Sequence, residues 1–155
     1  MVDKYIKPFI KATIDCFSTM VNVVPVPKEV MLQLPPITQT DFCAIIGLSG
    51  DAQGLVSLAF EKDVALKVVS KFVGEEIDEP NSDVSDAIGE LINIIAGAAK
   101  AEISGVKLMI SLPSIMHGDR FFLSMPKDVT VIGVSFDLPE IGGACKLVIG
   151  LKENK

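Results

Sequence analysis

Arginine is almost missing from this chain. Arg120 is the only one, and with 14 basic against 20 acidic residues the formal net charge is −6. Nucleic acid demands clustered Lys and Arg to neutralise phosphates, so that class of partner is excluded. Histidine is equally scarce. Any Ser-His or Cys-His nucleophile pair would have to be built on His117, which sits in an Ile-Met-His-Gly-Asp stretch that reads as a surface turn. The three cysteines, Cys16, Cys43 and Cys145, are odd in number, far apart and set among apolar neighbours. That pattern fits reduced core thiols and lacks the pairing of a zinc site. Apolar runs are short of the ~18 uninterrupted residues a membrane span needs. Asp3, Lys4, Lys7 and Lys11 stand where a signal peptide would be apolar. A cytoplasmic protein without membrane contact is expected. Gly47, Gly50 and Gly54 lack the spacing and the following Lys-Ser/Thr of a phosphate-binding loop, so no nucleotide motif is present.

Apolar material, by contrast, is plentiful. Hydrophobic residues make up 49% of the 155 and mean hydropathy is +0.47, enough for one sizeable core. The most informative stretch is Asn81 to Gly105, NSDVSDAIGELINIIAGAAKAEISG. At about 100° per residue, Asp86, Glu90, Asn93 and Gly97 fall within roughly 60° of one another. Val84, Ala87, Ile88, Leu91, Ile92, Ile94, Ile95, Ala98 and Ala99 fill the opposite arc and predict a buried face. Asn81, Ser82 and Asp83 are all able to cap the start, and Gly105 offers a stop. The polar stripe is costly. Gly89 and Gly97 each give up about 1 kcal/mol of helix propensity and Asn93 roughly 0.6. Small residues there lower the ridge beside Glu90 and Asn93, either for another backbone to approach or for packing within the protein.

Around this helix the pattern alternates between periods. Residues 4 to 21 predict an amphipathic helix that starts or kinks at Pro8. Lys28 to Leu34 reads as a short strand ended by Pro35-Pro36. Asp41–Ser49 and Gly54–Phe60 form a hairpin across Gly50-Asp51-Ala52-Gln53. Glu61 to Val73 is helical, and the following GEEIDEPN is an acidic, solvated loop. Later come strand material at Val106–Leu112 and strands at Arg120–Ser124, Val129–Phe136 and Gly143–Leu151. The halves rhyme, with Thr40–Phe60 the counterpart of Asp128–Leu151. The expected fold is a single α+β domain over residues 1–155, duplicated as pseudo-repeats of about 1–74 and 75–155. Its long helices pack on a largely antiparallel or mixed sheet about a pseudo-twofold.

Asp86-x-x-x-Glu90-x-x-Asn93 within DAIGELINIIAGAAK, followed by Ser111-Leu112-Pro113, resembles the signature of the CheC/CheX/FliY chemotaxis phosphatases. The hairpin GLSGDAQGLVSLAF and the opening IKPFIKATIDCF also resemble that family, so the likeness runs through the whole chain. CheC-type members carry Glu-x-x-Asn in both repeats. The first helix here has Lys11-Ala-Thr-Ile-Asp15 instead, and one site per chain is the CheX pattern. The resemblance implies hydrolysis of the aspartyl-phosphate on a CheY-like response regulator by a homodimer. It gives Asn93 the role of positioning the attacking water and Glu90 that of docking to the regulator, with Asp86, Gly89, Gly97 and Lys100 lining the contact. No cofactor of its own is implied; Mg²⁺ would sit on the regulator. The alternative is a non-catalytic module that binds a regulator or serves in a flagellar switch.

Overall fold

The computed structural model describes residues 2–33 and 37–154. Its helices are α1 (Val2–Cys16), continued by a π-helical segment Phe17–Val21, then α2 (Lys62–Val73) and α3 (Ser82–Glu102). The strands are β1 (Val26–Leu32), β2 (Ile37–Gly50), β3 (Ala52–Phe60), β4 (Leu108–Ile110), β5 (Ser114–Leu123), β6 (Thr130–Leu138) and β7 (Gly143–Glu153). All seven belong to one antiparallel sheet in the order β1-β6-β7-β3-β2-β4, with β5 also paired to β2.

Period-two alternation creates the core. Phe42, Ala44, Ile46 and Leu48 of β2 turn to the helices, as do Val56, Leu58 and Phe60 of β3. Val134 and Phe136 of β6 and Leu147 and Ile149 of β7 extend the same layer. The opposite face carries only a small cluster, where Val131, Val148 and Ile37 meet Leu123, Met125 and Val129. The two hairpins, β2–β3 and β6–β7, join through β3 and β7 with Val56 opposite Ile149. Outside each hairpin lies a strand from the other half of the chain, so the strand order is symmetric about the β3–β7 pair. At the tip of β2–β3, Gly50 takes φ 108, and a Cβ there would collide with the Lys107 carbonyl oxygen.

Several expectations are corrected. The first helix does not start at Pro8 but at Val2, with Pro8 inside it, because Tyr5, Ile6 and Phe9 on either side are buried at 3%, 2% and 0% exposure. Burial worth about 1.5–3 kcal/mol for each large side chain outweighs the ~3 kcal/mol an interior proline costs. β1 starts at Val26 and includes Pro27, which an edge strand tolerates. Pro35 and Pro36 lie outside the described residues. His117 is in no turn. It belongs to β5, which begins at Ser114, pairs with Phe42 of β2, and stacks on the Phe42 ring at 4.1 Å between centroids and 7° between planes. The sheet is wholly antiparallel among the described strands.

The three cysteines are free and buried, as their surroundings predicted. Burial lifts the Cys43 thiol to about 11 and the Cys16 thiol to about 12, and raises Cys145 as well. In the unfolded chain thiols ionise near ~8.5. Stability from this source is therefore complete below about pH 8.5 and falls above it by about 1.4 kcal/mol per pH unit for each thiol still protonated in the fold. Urea titrations at pH 8 and pH 10 should show that loss, and a Cys43→Ala variant should lose less than the wild type. Identical losses in the two would contradict a buried, protonated Cys43.

Candidate functional site

α3 is fixed at both ends before its outer face is considered. The Asn81 side-chain oxygen accepts the Val84 N–H at 3.1 Å, which settles the cap among the three candidates. Asp83 in the first turn and Lys100 in the last complement the helix dipole. The helix ends at Glu102, three residues before Gly105, which takes φ 72 in the turn beyond. Its inner face is buried at Val84, Ile88, Leu91, Ile92 and Ile95, each fully inaccessible. The arc expected from periodicity is shifted slightly: Ala96 is buried, Ile94 half-buried and Ala98 exposed. Five such side chains contribute on the order of 10 kcal/mol of gross burial, before entropy. That is several times the roughly 2.6 kcal/mol of propensity lost at Gly89, Asn93 and Gly97. α3 can carry an outer face chosen for something other than helix stability.

That face holds Asp86, Glu90 and Asn93, all exposed, with Lys100 exposed further along and Gly97 half-buried. A Cβ on Gly97 would meet nothing within 4 Å, so the surface beside Asn93 is open. Gly89 is different. It is buried, and a Cβ there would lie 3.6 Å from Pro113 Cγ and 3.5 Å from Ile115 Cδ1. Its missing side chain faces this chain's own Ser111-Leu112-Pro113 stretch, the extended link that carries β4 on into β5 along β2, so the structure does not bring Gly89 to the surface with the others.

That link is itself pinned. Ser111 Oγ accepts the Gly47 N–H at 2.8 Å and donates to the Leu112 carbonyl at 2.9 Å, while the Ser111 N–H donates to the Gly47 carbonyl at 3.0 Å. Behind the site, the Cys16 thiol of α1 points at the Leu91 carbonyl at 3.9 Å. The Cys16 thiol is raised first by burial and then by the nearby charge of Glu90. α1 is tied on at the other end, where Lys11 Nζ reaches Glu102 Oε1 at 2.7 Å and Asp15 Oδ2 at 3.4 Å. The residues of α1 that stand where a second motif would be expected are thus paired with their neighbours.

One feature of the surroundings escaped the sequence reading. A hollow of about 270 Å³ opens between α2 and α3, with Phe72, Ile77 and Ala87 in its floor. Glu75, Asp83, Asp86 and Glu90 line it. Only the acidic composition of GEEIDEPN hinted at it. Two larger hollows, about 720 and 520 Å³, lie at the β6–β7 turn and on the far face of the sheet, away from Glu90 and Asn93. Among the described residues no three His, Cys, Asp or Glu side chains gather to hold a metal, and no helix is long and apolar enough to cross a membrane.

Chemically, the arrangement presents the Glu90 carboxylate and the Asn93 carboxamide a turn apart on the exposed face of α3. The carboxylate accepts charge-assisted hydrogen bonds from a cation; the carboxamide donates and accepts together, which suits it to orient a water.

Comparison with known proteins agrees. The family described as chemotaxis phosphatase CheX matches residues 42–137. The CheY-P phosphatase CheX of Thermotoga maritima is 36% identical over 77 residues, 48% of this chain; the match spans half the length of that relative. The crystal structure of a chemotaxis protein CheX from Desulfovibrio desulfuricans superimposes with a TM-score of 0.87 at 30% identity, covering 96% of this chain and 99% of that one. The CheX of Borrelia burgdorferi, solved in a complex with CheY, BeF3 and Mg²⁺, gives a TM-score of 0.79 at 25% identity over 96% of this chain and 98% of that one. The sheet, the exposed Glu90–Asn93 pair and these likenesses converge: the chain belongs to the chemotaxis phosphatase CheX family.

Proposed function

We propose that this protein hydrolyses the aspartyl-phosphate of a CheY-like response regulator in the cytoplasm, and that α3 carries the reaction. The observation behind this reading is that Glu90 and Asn93 stand exposed, one turn apart, on a helix whose opposite face is fully buried. The CheY-P phosphatase of T. maritima and the CheY complex of the B. burgdorferi relative support the choice of substrate.

An acyl phosphate is already reactive, and a response regulator brings its own Mg²⁺ and lysine. The phosphatase needs no cofactor of its own. Its task is to place a water in line with phosphorus, as the water-orienting Gln does in small GTPases. Asn93 enters beside the phosphoryl group, its carbonyl oxygen accepting a hydrogen bond from the attacking water. Open space at Gly97 lets the regulator's backbone approach, and Asp86 and Lys100 flank the contact. Glu90 accepts a charge-assisted hydrogen bond from the regulator's lysine and fixes the register. A 10²-fold acceleration corresponds to about 2.7 kcal/mol of barrier, which positioning of this kind supplies.

The assembly is a homodimer in this reading. β1 is an edge strand with every residue exposed, and Val26, Val30, Met31 and Leu32 present apolar surface there. Such an edge calls for cover.

Substoichiometric protein should accelerate phosphate loss from a regulator charged with a small-molecule phosphodonor. Glu90→Gln should raise KM, more at low salt, with kcat little changed. A collapse of kcat at unchanged KM would instead make Glu90 a participant in the chemistry. Sedimentation at micromolar concentration should give about twice the monomer mass of 16.6 kDa, and a single species at 16.6 kDa would contradict the dimer.

A further inference from the structure

The hollow between α2 and α3 has a composition that neither Glu90 nor Asn93 requires. Its floor is apolar, made by Phe72, Ile77 and Ala87, and its rim carries Glu75, Asp83 and Asp86. None of these three carboxylates forms an ion pair among the described residues, although the lysines at 11, 28 and 152 all do. The wall formed by the loop is held in shape. Ser70 Oγ accepts the Ile77 N–H at 2.9 Å and donates to the Leu66 carbonyl at 2.7 Å, so the loop is fastened to α2.

An apolar floor under an acidic rim matches one kind of side chain. Lysine and arginine bury an aliphatic stem while keeping the charged head among carboxylates or in water. At about 270 Å³ the hollow has room for one such side chain. Glu90 also lines it, on the surface already assigned to the regulator, so one docked molecule can reach Glu90 and the three carboxylates together.

We propose that the α2–α3 hollow receives a second basic side chain of the response regulator, held by Glu75, Asp83 and Asp86 over Phe72 and Ile77. This rests on the reading of α3 as the regulator's docking helix. The hollow acts as an anchor that sets affinity and partner choice, while the hydrolytic step stays with Asn93. The acidic loop is then a recognition element.

The test compares the wild type with Glu75→Gln/Asp83→Asn and with Glu75→Lys, the latter leaving α3 untouched. Steady-state dephosphorylation of a CheY-type regulator is measured with each at low and high salt, with regulator binding measured alongside. The double variant should raise KM by about tenfold at low salt with kcat nearly constant, and its salt dependence should flatten. Glu75→Lys should raise KM further. If the wild type is active and both variants match its KM and salt dependence, the anchor is overturned alone. A wild type that neither binds nor dephosphorylates the regulator overturns the docking helix and the anchor together.

Discussion

Burial of one face of α3 is the constraint on which the rest depends. Five large aliphatic side chains of that helix are inaccessible, wedged against the sheet and against α1. Because packing, and not propensity, holds the helix, its outer face is released from the usual demand for Ala, Leu, Lys and Glu. Asn93 and Gly97 sit mid-helix at a cost that the buried face offsets several times over. The same packing makes the face stiff. A side chain that has to meet a water within tenths of an ångström gains from a scaffold that does not bend.

The sheet supplies the second half of that stiffness. Its centre is the β3–β7 pair, and α3 lies toward the β2 side, next to the short β4 and the start of β5. There the extended Ser111-Leu112-Pro113 link between β4 and β5, pinned to Gly47 of β2, closes on Gly89 of α3. A contact between sheet and helix therefore lies one residue from Glu90. On the other flank, the loop after α2 closes the hollow that we assign to the regulator. The outward face of α3 is bounded on one side by the β4–β5 link and on the other by an acidic recess.

Much of this was legible in the sequence because the responsible signals are local. The 3.6-residue period of α3 gave both its buried face and the exposure of Asp86, Glu90 and Asn93. The glycine-centred turn after Ser49 announced the β2–β3 hairpin. What was misread concerns edges and neighbours. β1 is the strand expected at Lys28–Leu34 shifted to Val26–Leu32, whereas the start of β5 has no continuous buried face, and His117-Gly118-Asp119 looked like a turn when it is strand. A helix start at Pro8 follows from local propensity alone, and buried Tyr5, Ile6 and Phe9 carry the helix back to Val2 instead. Gly89 looked like room for a partner, but the space belongs to Pro113 and Ile115, residues more than twenty positions away in the chain. The hollow needed the packing of α2 on α3, which spacing does not encode.

The most direct measurement is thermal melting and regulator dephosphorylation on the same Asn93→Ala protein. Asn93 is exposed and is a poor helix former, so Ala should leave stability equal or raise it by a few tenths of a kcal/mol. Hydrolysis should fall at least about 10²-fold, with binding of the phosphorylated regulator nearly unchanged, because the amide acts in the transition state. A variant that melts lower yet dephosphorylates at the wild-type rate would contradict the assignment of Asn93 to the water.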